Sequence, residues 1–432
     1  MSDRLYTLSK ACNIVRMTDD SVGRMKVFVS VLQNSRRIRY SYFFYQRAPD
    51  SVKAGLIVLY GLKCYLSLAR RHDSEQHLLF FASYPNEHRV LSHAREKLST
   101  IPRGEVTTSL TNVFRLTAIS DLFSFMPSSV RLFRFAKRLI RKHEFMPACR
   151  IFSTLTYYMR FKRLLDNDVK AVFIACQYSP ECLGLAAAAH NAGRKVVFTN
   201  HAIASGETHY VAPLYADLVA VNSPAMADIY QRHSPHKLNI VPFTMAEPQR
   251  PMRVPNRNGD TLTVGIYLTA LTDETRLQQI VREFSRIASI GLIFIRTHPA
   301  QVVNADLSVT PCAGVPIEIS ITAPLHEDIA RTNIAVCGNS TVVVEILRGG
   351  KPVLYDHRLD DIISDYNGYA ARELVMPYPQ TLDEAVFEQM QQHYLSDNWH
   401  ETMRYFDCGY HADEREIERG FTAAVVSIMQ QS

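Results

Sequence analysis

"VCGNSTVVVEILRGGKPVLYD", residues 336–356, decides how the rest of the chain is read. An apolar strand end runs into the polar turn Gly338, Asn339, Ser340 and Thr341, then a short apolar helix, a glycine pair and a second buried strand. Strand, helix and strand in so few residues form a β-α-β unit, which implies a parallel sheet covered on both faces. A helix start rich in hydroxyl and amide side chains offers free N–H groups and a positive dipole end, a setting suited to phosphate. Glu345 lies a little over one turn further on, placed to accept hydrogen bonds from the ribose hydroxyls of a nucleotide.

Outward from this unit the same alternation repeats. Downstream of residue 260 come the strand "LTVGIYL", the helix "DETRLQQIVREFSRIAS", and the strands "GLIFIRT" and "PIEIS", followed by the helix "PLHEDIARTN". From Lys170 towards residue 243 there is an independent series: "AVFIAC", the small-residue helix "PECLGLAAAAHNAG", "KVVFTN", "ADLVAVNS", "PAMADIYQRHS" and "KLNIVPF". Earlier still, "MKVFVSV" (25–31) and "HLLFFAS" (77–83) read as strands, with "KAGLIVLYGLKCYLSLARR" as a helix between them. Between the two series, "MAEPQRPMRVPNRNGD" has four prolines and no apolar period, the composition of a flexible linker. The expectation is α/β, two Rossmann-like domains facing across a cleft: residues 1–245, a linker at 246–260, and 261–432. The last helix, "DEREIERGFTAAVVSIMQ", is a candidate to cross back to the first domain.

Composition narrows the class. The 432 residues are 47% hydrophobic and 21% charged, which is globular and excludes disordered and fibrous chains. The eight cysteines have no metal-ligand spacing and read as reduced core thiols. No apolar run is long enough to span a bilayer, and the start "MSDRLYTLSK" lacks the core of a signal peptide, so a cytoplasmic protein is expected. The net charge of +6 is concentrated between residues 130 and 163, where ten cations (Arg131, Arg134, Lys137, Arg138, Arg141, Lys142, Arg150, Arg160, Lys162 and Arg163) face Glu144 alone. Leu132, Phe133, Ala136, Leu139 and Ile140 give the same stretch an apolar stripe at helical spacing, the pattern of a helix lying on the anionic inner face of a cell membrane. No nucleic-acid module is present, and a nucleic-acid partner is not expected.

In open parallel sheets ligands sit at the carboxyl ends of strands. Three such loops in the second half converge by this rule: "YLTALTDE" with Thr269 and Thr272, "RTHPAQ" with Arg296, His298 and Pro299, and the "GNST" turn. Arginine and histidine beside a hydroxyl-rich helix start would neutralise and hydrogen-bond a phosphate. The acidic run "LDDII" (359–363) lies outside these loops, so metal-independent chemistry is expected.

A strand, R-x-H-P, and about forty residues later a G-x-S-[ST] helix start followed by G-x-P-V together resemble the nucleotide-binding domain of GT-B glycosyltransferases. The closest likeness is to the bacterial sialyltransferase, polysialyltransferase and CDP-glycerol glycerophosphotransferase group. The resemblance implies that His298 and Pro299 form the HP motif and Ser340 and Thr341 the hydroxyl pair, holding the phosphates of a cytidine nucleotide. It implies a transferase that moves sialic acid or a related acidic sugar from a nucleotide-activated donor to a glycan or glycolipid acceptor, as in capsule polysaccharide synthesis, with no further cofactor and no metal. The acidic motif that supplies the sialyltransferase base has no counterpart here. In the first half, "FTNHAIASGETHY" (198–210) occupies the acceptor-side loop, and an inverting transferase needs a base there. His201 is the first candidate, with Glu207 and Glu181 behind it. The alternatives are a nucleotide-sugar epimerase of the same architecture, a transferase using UDP- or GDP-sugars, and a catalytically idle glycan-binding subunit.

Overall fold

The computed structural model describes residues 47–70, 77–99, 101, 103–108, 123, 125–143, 145–165, 168–200, 214–234, 236–245, 249–255, 261–269, 272–298, 314–360 and 364–431. The expected strand at 25–31 lies outside them.

The first unit runs α1 (Asp50–Leu66), β1 (Leu68–Arg70), β2 (Leu78–Ala82), α2 (Pro85–Lys97), β3 (Arg103–Thr108), α3 (Ser129–Lys142), α4 (Phe145–Leu164), β4 (Ala171–Ile174), α5 (Pro180–Asn191), β5 (Lys195–Thr199), β6 (Leu218–Val221), α6 (Pro224–His233) and β7 (Ile240–Pro242). Among the described residues its seven strands order as β1-β3-β2-β4-β5-β6-β7, all parallel except the edge pair β1/β3. β2 and β4 are buried along their whole length, as strands covered on both faces must be. The sequence predicts one helix through Arg71; instead α1 stops at Leu66, where the Ser67 N–H closes onto Lys63 O, and residues 68–70 become an antiparallel edge strand. Arg160 donates to Leu68 O and stacks on Tyr65, fixing that switch from α4.

The small residues of α5 have a packing reason. A Cβ on Gly184 would lie 2.8 Å from Tyr157 Cβ and 2.9 Å from Tyr158 N, so only glycine lets α5 press onto α4. This contact fixes the start of α5, where Ser179 caps Cys182 N–H at 3.2 Å and Pro180 takes the first turn.

The second unit runs β8 (Leu262–Tyr267), α7 (Glu274–Phe284), β9 (Ile290–Arg296), β10 (Ile317–Ser320), α8 (Leu325–Arg331), β11 (Ile334–Cys337), α9 (Val342–Arg348), β12 (Val353–Tyr355), β13 (Met376–Pro377), α10 (Ala385–Tyr394), α11 (Asp397–Phe406) and α12 (Glu414–Gln430). Its sheet, β10-β9-β8-β11-β12-β13, is parallel throughout. One large core fills it, from Val264 and Phe294 to Trp399 and Phe406.

The described part of the connector is docked on the second unit rather than free. Arg250 N–H donates to Arg348 O and Arg253 N–H to Gly350 O. Gly350 has φ +72, and a Cβ there would meet Pro251 O at 2.2 Å. The chain then returns: Phe421, Val425 and Ile428 of α12 join Leu78, Phe80 and Phe243 in the core beneath the first sheet. Where the units meet, the Arg348 guanidinium is bidentate on Asp407, at 2.8 and 2.5 Å, with both side chains buried.

Candidate active site

Strand pairing aligns Arg296, Tyr267, Cys337 and Tyr355 at one end of the second sheet. The residues after them, His298, Thr269 and the Gly338–Thr341 turn, therefore share the carboxyl edge. Within it, Asn339 is a hub. Its side-chain oxygen accepts from Tyr355 OH at 2.6 Å and Tyr366 N–H at 2.9 Å, and its amide donates to Ser364 O at 3.0 Å.

The strongest departure from the sequence reading is Asp360. It comes from the acidic run placed outside the site, yet its buried carboxylate accepts from the Asn339 N–H and the Thr269 hydroxyl. A Cβ on Gly338 would sit 2.2 Å from Asp360 Oδ2, so the glycine is required by this carboxylate. Other backbone groups of the turn are spent internally: Ser340 N–H on Gly338 O at 2.8 Å, and Val342 N–H on Ser340 Oγ at 3.3 Å. α9 begins only at Val342, with Thr341 in the helical region (φ −70, ψ −16) and not capping. What the turn presents to a phosphate is therefore chiefly the hydroxyls of Ser340 and Thr341, and less the ring of backbone N–H groups expected from the sequence.

Arg296 does not reach that turn. Its guanidinium donates to Ala323 O at 2.8 Å and pairs with the buried carboxylate of Asp328, which also takes Ser320 Oγ at 2.5 Å. A buried pair of this kind holds α8 on the sheet and leaves no charge for a ligand. His298 is half-buried, and burial pushes its imidazole below the ordinary histidine range, so near neutral pH it is a neutral hydrogen-bonding group, not a cation. Pro299, His201 and Glu207 lie outside the described residues.

Glu345 reaches across the interface, 3.9 Å from the Arg89 guanidinium of α2. That contact brings α2 of the first unit against α9 of the second. α2 follows the carboxyl end of β2 and α9 follows that of β11, so the carboxyl ends of both sheets border one cleft.

On the first-unit side, the α2 start is tied by Glu87, which is buried and accepts from Ser83 N–H at 2.7 Å and Tyr84 N–H at 3.4 Å. Beside it, Glu181 sits in the first turn of α5, after the carboxyl end of β4, and is 8% exposed. Burial pushes its carboxyl above the usual range; Glu87 adds to the rise, and Arg150 counters it. Arg150, counted with the surface cations in the sequence, turns inward and donates to Tyr178 O. A buried carboxyl with a raised pKa at a strand end has the properties of a general base. The sequence signal for it is the S-P-E helix start that follows a buried strand; Glu87, Arg89 and Asp360 carried none.

No protein-family model and no curated protein matches the sequence. Solved structures do. A Listeria monocytogenes protein described as a UDP-N-acetylglucosamine 2-epimerase is 9% identical, covering 83% of this chain and 98% of its own, with a TM-score of 0.48. Acinetobacter baumannii MurG is 14% identical over 83% of this chain and 100% of its own (TM-score 0.45), and CalG4, the calicheamicin glycosyltransferase, 12% over 82% and 99% (0.45). These are distant likenesses of overall architecture, and the chemistry assigned below comes from this chain's own residues.

Proposed function

We propose that this chain is a GT-B glycosyltransferase that holds a nucleotide-activated sugar at the carboxyl edge of the second sheet and an acceptor hydroxyl at that of the first. The observation that supports it is the Arg89–Glu345 contact, which brings α2, after the carboxyl end of β2, against α9, after that of β11. Glu181 takes the proton of the acceptor hydroxyl as its oxygen bonds to the anomeric carbon. The bond from that carbon to the nucleotide phosphate breaks, and the Ser340 and Thr341 hydroxyls with the neutral His298 N–H stabilise the charge that develops on the departing oxygen. Attack opposite the leaving group inverts the anomeric centre, and protein donors do the work a metal does elsewhere. The HP motif makes cytidine-linked sugars, sialic acid among them, the first donors to test, with UDP- and GDP-sugars beside them.

Each donor is incubated with the protein, with and without a glycolipid extract, and free nucleotide and the sugar's configuration are measured. The proposal expects nucleotide release that depends on the extract, with the sugar recovered on a lipid. Conversion of the donor sugar to its epimer without acceptor would instead identify an epimerase, and no turnover of any donor would identify an idle binding subunit.

A further inference from the structure

Most of the apolar stripe read from the sequence as membrane-facing is not available: Leu132, Ala136 and Leu139 of α3 are buried against Ala54, Ile57 and Ile151, while Phe133 is exposed. What the fold exposes is a different surface. Among the described residues, thirteen large apolar side chains are exposed, and eight of them lie in two short stretches: Val52, Leu56, Leu59 and Tyr60 of α1, and Phe123, Met126, Val130 and Phe133 at and before the start of α3. The α1 spacing, with Lys63 continuing it, places that set on one helix face, opposite buried Ala54, Ile57, Gly61 and Tyr65. On α3 the outward face, opposite its buried stripe, carries Arg134, Arg138 and Arg141, flanked by Arg131 and Lys142, and the helix contains no acid. The two helices pack side by side and antiparallel, Asp50 meeting Arg141 at 3.9 Å at one end and Tyr65 meeting Phe125 at 5.4 Å at the other.

We propose that the outer faces of α1 and α3 form a single platform that docks on an anionic lipid surface, α1 entering the headgroup boundary with its apolar side chains and α3 pairing with lipid phosphates. A solvated face would not gather most of the exposed apolar side chains beside a one-sign row of guanidiniums. The charge selects an anionic bilayer over a protein partner with a neutral apolar groove. The platform is tied to the first-unit site through α4: a Cβ on Gly61 of α1 would meet the Phe152 ring, and one on Gly184 of α5, a turn after Glu181, would meet Tyr157 Cβ at 2.8 Å. A lipid-linked acceptor would thus enter from the membrane beside Glu181. That last step rests on the transferase reading; the docking itself does not.

The full chain is sedimented with phosphatidylcholine vesicles and with vesicles in which phosphatidylglycerol replaces a third of the lipid, at low and high salt. Binding is expected only to the anionic vesicles and to fall with salt. Arg134→Gln/Arg138→Gln/Arg141→Gln should lower the partition coefficient on the order of 100-fold, about fivefold per charge. Leu56→Asp/Leu59→Asp should lower it at least tenfold. Both sets are exposed, so their melting curves and nucleotide affinity should match the parent and keep a loss of binding from being a loss of fold. Equal binding to neutral vesicles, unchanged binding of either variant, or retention on duplex DNA without retention on vesicles overturns the proposal.

Discussion

Replacing Glu181 with glutamine should abolish most turnover while leaving donor affinity alone. The substitution keeps shape and hydrogen bonding but removes the group that takes the acceptor proton, a role worth about 10²- to 10⁴-fold in rate. The pH profile should show the same carboxyl. Because burial raises its pKa, the acidic limb of the rate should fall above the usual carboxylate range, and it should disappear in the variant's residual activity. Stability supplies an independent sign. A carboxyl raised in the folded state binds its proton more tightly there than in the unfolded chain. Wild-type stability should therefore fall as pH rises through the window from the ordinary carboxylate pKa to the raised one, and above that window the charge is a standing cost. Glu181→Gln removes the cost, so at neutral pH it should melt no lower than wild type. A variant that melts lower and turns over normally would show that Glu181 has only a structural role.

Arg348→Ala should be the most damaging single change to stability. It leaves the Asp407 carboxylate buried without its bidentate partner, a loss of about 3–5 kcal/mol. Arg348 also donates to Met245 O, and the neighbouring Arg348 O accepts the connector N–H of Arg250, so the same residue ties the two units. The expected result is a melting transition that drops sharply, with the units becoming separately sensitive to proteolysis at the connector. Replacing both partners, Arg348→Met with Asp407→Leu, should recover much of the loss, because an apolar pair incurs no charge desolvation. Recovery would be incomplete, since Asp407 also accepts the Gly409 N–H at 2.9 Å.

The parallel strands were legible because strands covered on both faces read as unbroken apolar runs, such as "AVFIAC" and "IAVCG". The placing of the "GNST" turn between β11 and α9 was legible because it is a polar run between an apolar strand and an apolar helix. Three features were not legible, each for a physical cause. Leu68–Arg70 has the composition of the helix before it, and only pairing with β3, thirty-odd residues away, makes it a strand. Asp360 acts on Asn339 from twenty-one residues downstream, and a carboxylate in an acidic loop gives no sign of folding back onto a backbone N–H. The cations of residues 130–163 look equivalent in sequence, yet Arg150 and Arg160 turn inward to carbonyl oxygens while Arg134, Arg138 and Arg141 stay outside. Amphipathic periodicity finds a stripe but cannot say whether bilayer or core covers it, and on α3 the answer is core.

The claim that the "GNST" turn is the donor phosphate site is tested most directly by calorimetric titration of CMP, CDP, UDP and GDP into the wild type, Ser340→Ala and Thr341→Ala. With the Asn339, Ser340 and Val342 N–H groups spent on Asp360 and on the turn itself, the site depends chiefly on its hydroxyls. The nucleotide that binds wild type should therefore bind Ser340→Ala about ten- to a hundredfold more weakly, the effect of one lost hydrogen bond to a charged group, with a melting curve shifted little. Wild-type affinity in both variants, or no affinity for any of the four nucleotides in the parent protein, would contradict the account.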